Sequence, residues 1–269
     1  MHLSSLHLYP LKSAAGLMVD TLAIEPRGPR HDRRWLAVDA DGRFITARQL
    51  PAMVLVRADM TGDRLRLSAP DMPGLEVAPP PPDAPRMPVS IWKDTVDAQC
   101  VDPAADAWLS ACLRQPARLV FMDDHARRPV DAGYAQPGDE VSFADGYPLL
   151  VISRAALEGL NARLVDAGRA PVAMAQFRPN LVVDDAEAHA EDDWTRVRIG
   201  EIEFDAVKPC TRCIFTTVDP DGGVRREDGE PLNTLKDYRR RPEGILFGMN
   251  LIPRGAGLLR VGDRLTVLM

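Results

Sequence analysis

Arg34-Trp35-Leu36-Ala37-Val38-Asp39-Ala40-Asp41-Gly42-Arg43-Phe44-Ile45-Thr46-Ala47 is the stretch whose reading decides the fold class. Arg34 to Val38 and Arg43 to Ala47 read as strands. Asp39-Ala40-Asp41-Gly42 lies between them, and Gly42 can take the positive φ of a tight hairpin. Working outward, Val54 to Ala58, Arg64 to Leu67, Val89 to Trp92 and Val96 to Cys100 continue the strand pattern. The last two pair across Lys93-Asp94, and the start, Met1 to Pro10, reads as an edge strand. Six prolines between Pro79 and Pro88 interrupt the series as a stiff surface loop inside the first domain.

The first clear helix begins where Asp102 can cap and Pro103 can take the first helical position, with Trp108, Leu109, Cys112 and Leu113 on one face. Arg118 to Phe121 restarts the strand pattern, so a boundary near residue 115 divides the chain into 1–115 and 116–269. Ser153 stands at a second helix start, ahead of Leu157, Leu160 and Leu164. Val197, Ile199, Ile202 and Phe204 flank Gly200-Glu201 as a hairpin. Ile214 to Val218 is a β-branched run ending at Asp219-Pro220-Asp221-Gly222, and Leu258 to Val261 and Leu265 to Leu268 close the chain. The expectation is a mainly β (α+β) protein with a few helices.

Composition narrows the function. Of 269 residues, 45% are hydrophobic and 27% charged, the balance of a globular protein with a sizeable core. A net charge of −6 without a basic run argues against a nucleic-acid partner. No stretch approaches the ~18 consecutive apolar residues of a membrane span, and Leu149 to Ile152 is closed off by Pro148 and Ser153. The N-terminus lacks the charged and apolar regions of a secretory signal. Four cysteines are too few for a disulfide scaffold, so a soluble, cytoplasmic protein is expected.

Lys208-Pro209-Cys210-Thr211-Arg212-Cys213 carries the one C-x-x-C motif. Its spacing permits a zinc site, a redox dithiol, a single thiolate on a soft metal favoured by Arg212, or two inert buried thiols. A second constellation is cationic: Tyr9-Pro10-Leu11-Lys12-Ser13, Asp32-Arg33-Arg34-Trp35 and Phe177-Arg178-Pro179-Asn180. Lys, Arg and Ser gathered at strand ends supply the donors an anionic group requires. None of the five histidines sits in a recognisable base or metal pair, although His31 adjoins Asp32-Arg33. Asp184-Asp185 and Glu191-Asp192-Asp193 read as a solvated acidic loop.

These segments, with Thr46-Ala47-Arg48-Gln49, the run from Cys210 to Pro220 and Val261-Gly262-Asp263, resemble the MOSC family over essentially the whole chain. The resemblance is to proteins with an N-terminal MOSC β-barrel domain before the β-barrel MOSC domain, the mitochondrial amidoxime-reducing component and its bacterial counterparts among them. It implies a molybdenum cofactor (Mo-molybdopterin) and an oxidoreductase that removes oxygen from N-hydroxylated compounds. Cys213 is then the catalytic metal ligand and Cys210 is not. Lys12, Ser13, Arg33, Arg178, Asn180, Thr211 and Arg212 would hold the pyranopterin and its phosphate, with Asn250 and Ser153 as further candidates. No iron–sulfur cluster signature occurs in the chain, so an external electron-transfer protein of ferredoxin or cytochrome type is expected. The competing expectation is a carrier of molybdenum cofactor or of persulfide sulfur on Cys213.

Overall fold

The computed structural model describes residues 1–268. The chain begins with β1 (His2–Leu8), β2 (Leu17–Val19), β3 (Thr21–Glu25), β4 (Gly28–Pro29) and β5 (Trp35–Val38). A meander of β6 (Arg57–Thr61), β7 (Arg64–Ser68) and β8 (Leu75–Val77) leads to the hairpin β9 (Arg86–Ile91) and β10 (Asp94–Cys100), then α1 (Pro103–Leu113) and β11 (Arg118–Phe121). The second half runs through β12 (Leu149–Ser153), α2 (Arg154–Asp166), β13 (Leu181–Asp184), β14 (Arg196–Ile199) and β15 (Ile202–Thr211). It closes with α3 (Leu232–Arg239), β16 (Arg240–Arg241), β17 (Gly244–Pro253), β18 (Gly257–Arg260) and β19 (Leu265–Leu268). The mainly β expectation holds.

The large sheet has the order β19-β14-β15-β17-β12-β13-β1-β2, with β16 attached to β17. It curls back on itself: His2 bridges Arg264, Leu3 N donates to Asp263 O at 2.9 Å, and Gly262 N donates to Leu3 O at 2.8 Å. Curling turns the alternate apolar positions of these strands inward. Leu3, Leu6, Leu22 and Ile24 from the chain's start therefore share one core with Val151, Leu181, Phe204, Leu251 and Leu265. A second core gathers Trp35, Met53, Leu65, Leu67, Leu109 and Leu119, and Val218 reaches into it from the second half. Each half thus contributes strands or side chains to the other's interior.

Local chemistry accounts for several elements. Asp102 accepts from Ala104 N at 2.7 Å and Pro103 opens α1 as the sequence indicates. Gly200, at φ 56°, turns β14 into β15. Gly42, at φ 76°, makes the turn read from the opening stretch, and Ile45 N returns to Ala37 O at 2.8 Å. The strand expected over Arg43 to Ala47 does not form: Phe44 alone bridges Val38, Arg43 bridges Ser90 instead, and Ala47 already lies in a turn.

Four further local readings change. Met1 to Pro10 is not an edge, since β1 is flanked by both β13 and β2. Pro51 presets a 3₁₀ turn, Pro51–Leu55, so the strand expected from Val54 begins at Arg57. The β9–β10 turn is Trp92-Lys93, one residue earlier than read, because Asp94 already pairs with Ile91. Ile214 to Thr217 is a 3₁₀ turn, not a strand: Thr216 and Thr217 hydroxyls donate to the carbonyls of Cys213 and Ile214 at 3.0 and 2.8 Å. Side-chain bonding to the backbone outweighs β propensity there.

Candidate functional site

A cavity of about 1010 Å³ opens between the two halves. The loop after β1 brings Lys12 and Ser13, the loop before β5 brings Arg33, and the segment before β13 brings Arg178 and Asn180. The end of β15 adds Cys210, Thr211, Arg212 and Cys213, and β17 adds Asn250. Eight of the nine candidate cofactor residues, together with Cys213, are brought to one wall system. Ser153 is the exception: it is fully buried, it caps no helix amide with its hydroxyl, and that hydroxyl accepts instead from His189 N at 3.3 Å. His31 also stays outside the cavity, facing Asp63 at 3.3 Å.

The wall is built from strained backbone and mutually braced cations. Ser13, Arg33 and Arg178 have φ of 68°, 48° and 56°, a region that non-glycine residues rarely occupy and that surrounding contacts must enforce. Tyr9 is the brace: the guanidiniums of Arg33 and Arg178 lie 4.2 and 4.3 Å from its ring centroid, and its hydroxyl donates to Pro179 O at 3.0 Å. Burial pushes the Tyr9 phenol up to about 12, so it remains a neutral donor. Buried Asp32 accepts from Tyr9 N at 2.9 Å, Asn180 Nδ2 at 3.1 Å and Arg33 Nη1 at 2.5 Å. Burial raises the Asp32 pKa against the opposing pull of Arg33. Asn180 Oδ1 accepts from Arg33 at 3.1 Å, so Asn180 orients the arginine from the second half of the chain. Arg212 donates to Phe247 O at 2.8 Å and Phe177 O at 2.9 Å. Its Nη2, buried, has no partner among the described residues.

Eight cationic side chains and three carboxylates line the cavity, a surplus of positive charge that calls for an anionic occupant. Burial, followed by repulsion from Arg33, lowers the Arg178 pKa to about 10. Burial lowers the Lys12 ammonium to about 8, although Asp145 at 2.6 Å supports its charge. The Asp145 carboxylate would be raised by its surroundings, yet Lys12 and Arg48 hold it well below the usual range. It faces the open cavity with 59% of its side chain exposed, so solvent screening weakens these pairings.

Arg48 links this network to the Cys213 sulfur. Its Nε donates to Cys213 Sγ at 3.1 Å and its Nη2 to Asp145 at 2.9 Å. Burial disfavours the Arg48 charge, but Asp145 and Cys213 outweigh it and raise its pKa. Burial pushes the Cys210 thiol up, keeping it protonated beside Cys213. Asn250 Nδ2 donates to Lys208 O at 2.9 Å and fixes β15 next to the motif. Arg48 and Asp145 are functional candidates that sequence reasoning gave no role. Arg48 lies inside the Thr46-Ala47-Arg48-Gln49 segment, which was the available signal, whereas Asp145, in Ala144-Asp145-Gly146, had none.

The donor set fits a phosphate-bearing, thiolate-bound cofactor. The orphaned Arg212 Nη2 and the charge surplus match an anion, and a partly exposed cysteine beside a guanidinium can serve as a soft-metal ligand. Among the described residues no group of three or more His, Cys, Asp or Glu could itself hold a metal ion, so the zinc-cluster reading of the C-x-x-C has no ligands to complete it. Glu191, expected in a solvated acidic loop, is instead fully buried and accepts from Ser153 N at 3.0 Å. Asp192 pairs with Arg239 at 2.5 Å. The run of acids reads as solvated in one dimension because its partners come from the end of β12 and from α3.

Models of the MOSC N-terminal beta barrel domain and the MOSC domain match residues 1–116 and 138–266. Mitochondrial amidoxime-reducing component 1 of Homo sapiens is 34% identical, with 98% of this chain and 82% of that protein covered. Mitochondrial amidoxime reducing component 2 of Rattus norvegicus is 35% identical, with coverage of 97% and 81%. Among solved structures, the YUAD protein of Bacillus subtilis aligns over 98% of this chain and 93% of that one, with 11% identity and a TM-score of 0.39.

Proposed function

The chain belongs to the MOSC family, carrying the N-terminal MOSC β-barrel domain ahead of the MOSC domain, and from that premise we propose that it is a molybdenum-dependent reductase of N-hydroxylated compounds. The observation that carries this reading is the placement of Cys213 on the wall of a cation-rich cavity, with Arg48 Nε 3.1 Å from its sulfur. The names of its relatives supply the reaction class. When bound, a molybdenum–pterin supplies an acceptor for oxygen and a two-electron redox change. Overall, the N–O bond of the substrate breaks, two electrons and two protons enter, and water leaves with the amidine or amine.

The protein's own contribution is binding and orientation. Arg178, Arg33, Arg212 and Ser13 would hold the phosphate and pterin, with Asn180 and Tyr9 keeping the arginines in place before the ligand arrives. Preorganised charges cost no reorganisation when the ligand binds. Lys12 would contribute a proton-bearing amine whose charge depends on Asp145. Cys213 would ligate the metal, and Arg48 would fix its sulfur without competing for the metal, since a guanidinium has no lone pair to offer. Electrons would come from a separate electron-transfer protein. No helix among the described residues is long and apolar enough to cross a membrane. Four free cysteines fit a reducing compartment, for which we propose the cytoplasm; the curated relatives are named as mitochondrial.

The test is metal analysis with pterin extraction on protein from a cofactor-competent host, followed by reduction of an amidoxime with a viologen donor. Molybdenum near one per chain and amidine formation support the reading. Sulfane sulfur on Cys213 without molybdenum would replace it with the carrier reading.

A further inference from the structure

Trp92 stands at the tip of the β9–β10 hairpin with φ 56°, a conformation that turn tips ordinarily assign to Gly, Asn or Asp. The residue is 48% exposed. The other three tryptophans, Trp35, Trp108 and Trp194, are 0%, 7% and 5% exposed. Neither turn chemistry nor core packing explains a bulky aromatic held there, and backbone strain of this kind persists where the surroundings enforce it for a purpose.

The surroundings do enforce it. Phe44 meets the indole edge-on at 4.9 Å between centroids, and the Arg48 guanidinium lies 4.5 Å from the ring. Indole Nε1 points to Asp145 at 3.4 Å. The same Arg48 donates to Cys213 Sγ at 3.1 Å, so one side chain separates the Trp92 ring from the reactive sulfur. Trp92 also lines the cavity, as do Pro129 and Val130, whereas Arg33 and Arg178 occupy the wall around Tyr9. An open aromatic face fixed in orientation is a stacking platform that gains from flat, conjugated ligands and gains little from small aliphatic ones.

We propose that Trp92 is the substrate-stacking residue of this site and selects N-hydroxylated compounds whose N–OH group is attached to a flat conjugated system. The inference rests on the reductase reading for its substrate class, while its first test does not require turnover. Iodide quenches exposed indoles, so in the full-length protein it reports on Trp92. Benzamidoxime, added without a reductant, protects Trp92 from iodide, and acetamidoxime at equal concentration does not. Trp92→Phe abolishes the iodide-accessible fraction and identifies the signal.

With a viologen donor, Trp92→Ala raises KM for benzamidoxime on the order of tenfold and leaves kcat within about twofold. KM for acetamidoxime changes little. Trp92→Phe restores most of the benzamidoxime KM, and Trp92→Leu, apolar but not planar, does not. Equal protection by both amidoximes, no protection by either, or an equal loss of kcat/KM for both in Trp92→Ala would overturn the assignment. If wild-type protein reduces neither amidoxime yet benzamidoxime alone protects Trp92, the reductase reading fails and the stacking site stands.

Discussion

Two buried polar clusters lie on either side of Phe247, and only one of them is built like a ligand site. On one side, Arg212 donates to the Phe247 carbonyl and joins Arg33, Arg178 and Lys12 around the cavity. On the other, the Phe247 ring packs 5.6 Å from His189, which neighbours Tyr238, Glu191, Asp192 and Ser153. The second cluster holds four of the six buried side-chain atoms without a partner among the described residues: His189 Nδ1, Glu191 Oε2, Asp192 Oδ1 and Tyr238 Oη. None of those residues lines the cavity. Burial and missing partners therefore do not by themselves mark a site. A surplus of one sign of charge together with an opening does, because only then is there room for the counter-charge that the residues lack.

The sharpest way to break this contrast is to remove the Cys213 sulfur and the donors proposed to hold the phosphate. Cys213→Ser should lower molybdenum content on the order of tenfold or more, whereas Cys210→Ser, a neighbour on the same wall, should stay within about twofold of the parent. Arg178→Ala should release pterin on dialysis with a loss of about tenfold in retention, the worth of one charged hydrogen bond. Equal loss of molybdenum in both cysteine variants would remove the ligand assignment.

On the closed side the effect should fall on stability instead. Glu191→Ala leaves Ser153 N without its acceptor in a fully buried place and should cost about 2 to 3 kcal/mol in urea unfolding, with cofactor content per folded chain unchanged. Burial raises the Glu191 pKa above its unfolded value, so the folded state binds the proton more tightly than the unfolded state does. Its contribution is then greatest below the unfolded pKa and is lost as pH rises through the folded one. Glu191→Gln, which cannot ionise, should flatten that fall of stability with pH. A flat wild-type profile would show that Glu191 is not held in this way.

Between these extremes lies Asp145, which belongs to the open cluster by position and to the scaffold by its bond to Lys12. Asp145→Asn removes the carboxylate from a buried ammonium and should cost about 1 to 2 kcal/mol, less than a fully buried pair because Asp145 faces the cavity. Lys12, already lowered to about 8 by burial, should fall further without the carboxylate, visible as earlier proton loss in an NMR titration of the amine. An unchanged Lys12 titration would mean that burial alone sets it.

The difference between the clusters also explains what the sequence could convey. Asp102-Pro103 and Gly200 carry their instruction locally, and the helix and hairpin they announce are present. Arg33 and Arg178 were legible as donors because strand ends and a family pattern mark them, but the ring of Tyr9 that spaces them was not, since it lies 24 and 169 positions away in the chain. Ile214-Phe215-Thr216-Thr217 misled because β propensity counts side-chain shape and ignores the hydroxyl bonds to Cys213 and Ile214. Glu191 misled because its two acidic neighbours suggest solvent, while its bonding partner is contributed from 38 residues earlier. Asp145 reaches Lys12 across 133 residues, a pairing that no local pattern encodes.

Tyr9 gives the finest test, because it separates a polar contact from a packing one inside the open cluster. Tyr9→Phe deletes only the hydroxyl that donates to Pro179 O at 3.0 Å, leaving the ring against Arg33 and Arg178. One neutral hydrogen bond is worth about 0.5 to 1.5 kcal/mol, and the carbonyl it abandons is buried, so a loss at the upper end of that range is expected in urea unfolding. Pterin retention should be unaffected, since the guanidiniums keep their face of the ring. Tyr9→Leu, which keeps apolar volume but no π face, should add a fall in retention of about fivefold, since the two cation–π contacts together are worth on the order of 1 kcal/mol when they hold a donor in place. If Tyr9→Phe loses pterin as readily as Tyr9→Leu, it is the Pro179 anchor that positions Arg178, and the ring is only its support.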